Sequence, residues 1–210
     1  MPLQAQLDAF NVDFGAGEPS YKVIASGAAQ RAPKTGDTAP VFSLPDADGH
    51  LVSSADLLKK GPLVVSFYRG VWCLYCNMEL QALRATLPDY RASGASLGAI
   101  SPRTAPNSRK SERQNGVDFP ILSDARGDVA SAFGLHFELS PYLIEMYKQL
   151  KSDLPSFNTD PGRTLPMPAR YGIASDGVIA YAEVNPDFTR RPEPSDLLPS
   201  IRSASVRVPA

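Results

Sequence analysis

Cys73 and Cys76 stand three residues apart and are the only cysteines in a chain of 210 residues. They follow the apolar run Leu63-Val64-Val65-Ser66-Phe67 and precede a stretch in which Leu80, Leu83, Leu87 and Tyr90 recur at helical intervals. Paired thiols at this spacing point to redox chemistry or metal binding rather than to a structural staple, because cytosolic thiols are kept reduced. A metal centre would need two further ligands, and His50 and His136 stand in no paired motif. No metal and no other cofactor is expected.

The reactive form of cysteine is the thiolate, and a free thiol with pKa of about 8.5 is only a few per cent ionised at neutral pH. A helix N-terminus contributes about 0.3–1 kcal/mol, whereas each pKa unit corresponds to 1.36 kcal/mol. The helix therefore supplies about one unit, and a cation is wanted beside the pair. Arg69 is the nearest candidate in the sequence and Arg170 the next. Residues three apart on a helical turn lie about 5–6 Å from each other, inside the range a disulfide spans, so the two cysteines can resolve one another. Trp72 and Tyr75, beside and between them, are secondary candidates that either border the thiols or cap the core.

The elements that must position this pair are legible in outline. Segments 3–10 and 21–31 read as short helices of an N-terminal extension, residues 1–35, ahead of one domain, 36–210. Val41 to Leu44, a turn at Asp46-Ala47-Asp48-Gly49 and His50 to Val52 predict a β-hairpin. Ser53 with Asp56 predicts a capped short helix before the strand at Leu63 to Phe67. The helix of Leu80 to Tyr90 closes near Gly94 and puts Cys76 at or near its N-terminus. Strands at 96–100 and 119–122 alternate with helices at 105–115 and 128–133, which argues for an α/β sheet with a parallel part. A helical insert at 141–150 has the apolar spacing of a packed satellite helix rather than a lid. After a proline-rich loop, 170–174 and 178–182 flank Ser175-Asp176-Gly177 as an antiparallel hairpin. The 20 prolines, many in the last third, predict an irregular C-terminal section.

Composition excludes several function classes. A formal charge of -1 gives no field to gather nucleic acid or an anionic membrane surface. No apolar run approaches the ~20 residues of a membrane span, and Met1 to Asp8 lack a basic start and an apolar stretch, so a soluble, cytoplasmic protein is expected.

A sheet with a parallel start, an antiparallel end and CxxC after a buried strand resembles thioredoxin-like architecture: α/β, a central mixed β-sheet flanked by helices, here with an N-terminal hairpin and helical extension. Phe67-Tyr68-Arg69-Gly70-Val71-Trp72-Cys73-Leu74-Tyr75-Cys76-Asn77-Met78-Glu79 is similar to the peroxiredoxin motif F-Y-P-x-x-x-T-x-x-C-P-x-E. Ala39-Pro40-Val41-Phe42, Ala99-Ile100-Ser101-Pro102, Asp118 to Asp124, Ala132-Phe133-Gly134 and Ser175-Asp176-Gly177 extend the resemblance to AhpC/TSA-type proteins, in a branch carrying CxxC. The resemblance implies a thiol peroxidase acting on hydrogen peroxide or small organic hydroperoxides. Cys76 is then the attacking thiol, Cys73 stands at the family's threonine and resolves, and Glu79 takes the family's glutamate position. Thioredoxin or a similar dithiol is the implied reductant, and a homodimer is common in the family. The chain departs from the family in placing Arg69 at the motif's proline and Pro168 where an essential arginine stands.

A different assignment follows from the likeness of Trp72-Cys73-Leu74-Tyr75-Cys76 to W-C-G-P-C and C-P-Y-C. It makes Cys73 the nucleophile of a thiol-disulfide oxidoreductase. On that likeness Met167-Pro168 is a cis bond facing the thiols, with Met167 offering its backbone to a partner. The non-enzyme alternative is a redox-sensing binding protein.

Overall fold

The structure is a computed structural model that describes residues 2–5, 28–149, 153–158 and 162–205. Of the helices expected at 3–10 and 21–31, only residues 3–5 and Ala28–Arg31 (α1) fall within these segments, and both are helical; the rest lies outside the described residues. Among the described residues, no helix is long and apolar enough to cross a membrane.

The chain continues through β1 (Ser43–Pro45), β2 (Leu51–Ser53), α2 (Ser54–Leu58), β3 (Leu63–Phe67), α3 (Leu74–Ala92) and β4 (Ser96–Ser101). It then runs through α4 (Ala105–Asn115), β5 (Ile121–Ser123), α5 (Asp128–Ala132), β6 (His136–Glu138) and α6 (Pro141–Gln149). β7 (Thr164–Pro166), β8 (Ala169–Ile173), β9 (Ile179–Val184) and α7 (Leu198–Ser205) follow. The central sheet has the order β5-β4-β3-β8-β9. β3, β4 and β5 are mutually parallel, while β8 runs antiparallel to both β3 and β9, giving the expected mixed sheet. β1 and β2 form the expected antiparallel hairpin, and the Ser53 hydroxyl accepts the Asp56 N–H to start α2.

Period-two alternation divides β3 between two apolar clusters. Val64 packs with Leu80, Leu83, Leu87 and Ile201 of α3 and α7, while Leu63, Val65 and Phe67 pack on the opposite face with Ile100, Phe133 and Tyr171. Full burial of a leucine such as Leu80 or Leu83 contributes about 1.5–3 kcal/mol. Ser66 shares the α3 side with Val64, and its register partner on β8 is Arg170. Strand alternation thus puts a hydroxyl and a guanidinium, in an otherwise apolar layer, directly beneath the first turns of α3.

Three elements are not legible in the sequence. β6 and β7 form a separate two-stranded antiparallel sheet, with β7 inside what reads as a proline-rich loop. The C-terminal section ends in a helix, α7, whose Leu198, Ile201 and Ala204 are buried. It lies close to the sheet at Gly172, where a Cβ would meet Leu197 and Ile201 side-chain atoms at 3.3 and 3.2 Å. The spacing of those apolar residues was visible in the sequence, but Pro192, Pro194 and Pro199 hid it; Pro199 stands at the second position of the helix, where proline costs little.

Candidate active site

The loop between β3 and α3 leads from Phe67 to Cys73, and its conformation is fixed at both ends. Cys73 is the N-cap of α3: its N–H donates to the Gly70 carbonyl at 3.0 Å and its carbonyl accepts the Asn77 N–H at 3.0 Å. Cys76 lies in the first turn, where the sequence places it. Gly70 has φ 143°, and a Cβ there would fall 1.0 Å from an Arg103 guanidinium nitrogen, so only glycine allows that arginine so close to the loop. Asn77 donates to the Val71 carbonyl at 2.8 Å and accepts from Asn115 at 3.1 Å, tying the loop to α4.

Both cysteines are free thiols and buried. The Arg69 backbone N–H donates to the Cys76 sulfur at 3.4 Å. The Arg69 side chain is buried, its guanidinium 4.2 Å from the Phe188 ring centre, 5.1 Å from Trp72 and 5.5 Å from Tyr147. Aromatic faces take the place of a carboxylate for this cation, since among the described residues none pairs with it. Trp72 and Tyr147 also contact each other at 5.1 Å, and Tyr75 meets Phe188 edge-on at 5.6 Å. The insert helix α6 is therefore a packed satellite, with Leu143 and Tyr147 buried, yet Tyr147 also walls the site. The side chains of Tyr142 and Met146, and Leu150 itself, lie outside the described residues.

Arg170, on β8, is buried in the interior. It donates to Glu79 at 2.9 Å, and the other oxygen of the same carboxylate lies 2.8 Å from Arg191. Glu79 is buried and also faces the Ser66 hydroxyl at 3.5 Å. A buried carboxylate between two guanidiniums is the arrangement in which desolvation is tolerable, because every charge retains a partner.

Two further arginines were missed. Arg103, fully buried at the end of β4, donates to the Arg69 carbonyl at 3.0 Å and lies over the Phe157 and Trp72 rings. Burial pushes its pKa down to about 10, against the pull of Tyr68 and the two cysteines. Its place at the carboxyl end of a strand next to β3 was the available signal, since α/β sheets bind ligands there. Arg191 carried none: it comes from an irregular loop after β9, and only the fold brings it to Glu79 and the thiols. Burial works against its charge, and Glu79, Cys76 and Cys73 together more than offset that.

The thiols share a proton. Hydrogen bonding from Cys76 lowers the Cys73 thiol to about 6, with Arg69 and Arg191 adding to the pull against desolvation. Burial, then donation to Cys73, raises Cys76. The pair thus releases its first proton readily and holds its second, a property of the dithiol as a unit.

The second wall corrects one expectation. No peptide bond is cis among the described residues, Met167-Pro168 included. Met167 is buried, and its N–H donates to the Leu135 carbonyl at 2.7 Å, continuing the pairing of β7 with β6. That donor is consequently not on offer to a partner. Met167 and Pro168 instead line, with Arg69, Tyr147 and Phe188, a cavity of about 20 Å3, room for one water-sized molecule.

The AhpC/TSA family matches residues 35–182 of the chain. A Mycobacterium tuberculosis relative whose name places it with the peroxiredoxins is 35% identical over 145 residues, 69% of this chain and 89% of its own. Peroxiredoxin Bcp of Escherichia coli is 33% identical over 108 residues, 51% of this chain and 68% of its own. A thiol-disulfide oxidoreductase, ResA of Geobacillus thermodenitrificans, is 29% identical over 119 residues, 55% of this chain and 66% of its own. Among solved structures, peroxidoxin BcpB of Mycobacterium tuberculosis superposes with a TM-score of 0.64 at 25% identity, covering 83% of this chain and 99% of that one. The sheet, the dithiol at the start of α3 and these likenesses agree: the chain belongs to the AhpC/TSA family, as a peroxiredoxin-like protein of the thioredoxin superfamily.

Proposed function

We propose that the protein is a thiol-dependent peroxidase that reduces hydrogen peroxide or small organic hydroperoxides through Cys76 and Cys73. The observation that carries this reading is a reduced dithiol at a helix N-terminus, with Arg69 and Arg191 acting on both sulfurs. Such a site holds a thiolate at neutral pH and presents N–H groups to a peroxide oxygen.

In the cycle, the shared proton, which rests on Cys76, passes to Cys73, and the Cys76 thiolate so formed attacks the terminal peroxide oxygen. The O–O bond breaks, an S–O bond forms, and the leaving oxygen departs as water or alcohol after taking a proton. Cys73 then attacks the sulfenic sulfur, expelling water and forming the Cys73–Cys76 disulfide. An external dithiol, thioredoxin or one like it, returns both thiols by exchange. A homodimer and a cytoplasmic location belong to the same proposal.

One observation favours a second reading. Cys73 is the lowered thiol of the pair, which suits a thiol-disulfide oxidoreductase led by Cys73, and the ResA relative fits it. Substitution separates the two. In the peroxidase, Cys73→Ser reacts once with peroxide and stops at sulfenic acid, and Cys76→Ser is inert. In the oxidoreductase, Cys73→Ser is inert toward disulfides and Cys76→Ser traps a mixed disulfide.

A further inference from the structure

Arg191 reaches the dithiol from a loop with no regular secondary structure, so something must hold it there. The first half of that loop holds itself: the Asp187 carboxylate accepts from the Thr189 N–H at 3.0 Å and hydroxyl at 2.6 Å, and the Asp187 carbonyl from the Arg190 N–H at 3.1 Å. The second half is held by the opposite end of the chain. The Arg191 N–H donates to the Gln4 side-chain oxygen at 2.9 Å, and the Gln4 amide nitrogen donates to the Thr189 carbonyl at 3.4 Å. The Leu3 N–H donates to the Glu193 carboxylate. Leu3 itself is buried in the same apolar cluster as Tyr75, Cys76 and Leu198.

We propose that Leu3 and Gln4 are positioning residues of the redox site: they clamp the loop from Thr189 to Glu193 so that Arg191 stays against Glu79 and the dithiol. The inference rests on the dithiol being the reactive centre, and it assigns the N-terminal turn a role in tuning it. The physical need is plain. A guanidinium gains hydration by leaving the interior, and desolvation opposes its burial until Glu79 offsets the loss. A loop pinned on one side only would let the side chain spend part of its time in solvent. Each such excursion removes a positive charge from the thiols and strands the Glu79 oxygen. Gln4 occupies the main-chain donor of Arg191 itself, so the clamp acts at the residue that matters rather than at a distant hinge.

The test uses the full-length reduced protein and two readouts that need no peroxide: thiolate ultraviolet absorbance against pH, and the pH dependence of alkylation by iodoacetamide. Gln4 is only partly buried, so Gln4→Ala is expected to fold. It should raise the apparent pKa of the dithiol by roughly half a unit, about threefold less thiolate on the acid side. Arg191→Met should raise it by about a unit or more. In the Arg191→Met background, adding Gln4→Ala should move the profile no further, because both changes act through one charge. Leu3→Ala should act like Gln4→Ala if it folds. An unchanged pH profile in Gln4→Ala, with or without lost stability, overturns the proposal, and so does a shift that persists in the double variant. Because alkylation is measured without peroxide, a protein that shows these shifts yet reduces no peroxide refutes the peroxidase reading alone.

Discussion

The Arg69 backbone N–H donates to the Cys76 sulfur across 3.4 Å, and the side chain of the same residue lies against Phe188, Trp72 and Tyr147. One residue therefore supplies the Cys76 sulfur with both a hydrogen bond and a nearby charge, and its aromatic cage holds the charge in place. Arg69→Met keeps the backbone donor and removes the charge. We expect the apparent thiol pKa to rise by about a unit or more, with about tenfold less thiolate on the acid side of the profile. Arg69→Lys should recover part of this, since lysine restores the charge without the flat ring-stacking surface. Thiolate absorbance against pH measures both.

Glu79 is the shared partner of Arg170 and Arg191. Glu79→Gln leaves two guanidiniums in the interior without their counter-charge, and breaking a buried pair from one side costs about 3–5 kcal/mol. Denaturant unfolding of the reduced protein should show that loss. The same variant should lower the apparent thiol pKa, because the negative charge beside the cations is gone. A variant as stable as the parent would show that the two arginines do not depend on Glu79.

Stability should follow the thiols through pH. In the folded protein Cys73 titrates at about 6, well below the free-thiol range of about 8.5–9, so between those values the unfolded chain binds more protons. That group's contribution is fully present above the unfolded pKa and is lost as pH falls through the folded one. The melting temperature of the reduced protein should therefore climb from about pH 6 toward about pH 9. Cys76 acts with the opposite sign: its raised pKa makes the folded state hold a proton the unfolded chain releases, and stability should decline above about pH 9. A double Cys73→Ser, Cys76→Ser variant should lack both features.

The Gly70 position tests the packing of the loop. Its φ of 143° and the 1.0 Å approach of Arg103 leave no place for a methyl group. Gly70→Ala should lose about 2–4 kcal/mol of stability, and the displaced Arg103 should raise the thiol pKa as well.

Much of this was open to reading from the chain because it depends on local pattern. The helical spacing of Leu80, Leu83, Leu87 and Tyr90, the apolar run of β3 and the Ser53 cap each follow from period and propensity, and they are enough to put Cys76 in the first turn of α3. Arg69 and Arg170 were reachable as cations near the thiols, although nothing local distinguishes a buried arginine from a solvated one. Arg191 and the Gln4 contact were not reachable, because they join residues 187 positions apart. The cis bond expected at Met167-Pro168 came from a likeness at one loop. Here Leu135, just ahead of β6, supplies its carbonyl to the Met167 N–H, a pairing set by a strand no propensity marked.

The most direct test mixes fully reduced protein with one equivalent of hydrogen peroxide in a stopped-flow instrument and follows Trp72, the single tryptophan, with thiols counted at the end. The account predicts a reaction far faster than that of a free thiol, ending with both thiols consumed in a Cys73–Cys76 disulfide. A rate no greater than a free thiol's would contradict it and leave disulfide exchange or sensing as the chemistry of the pair.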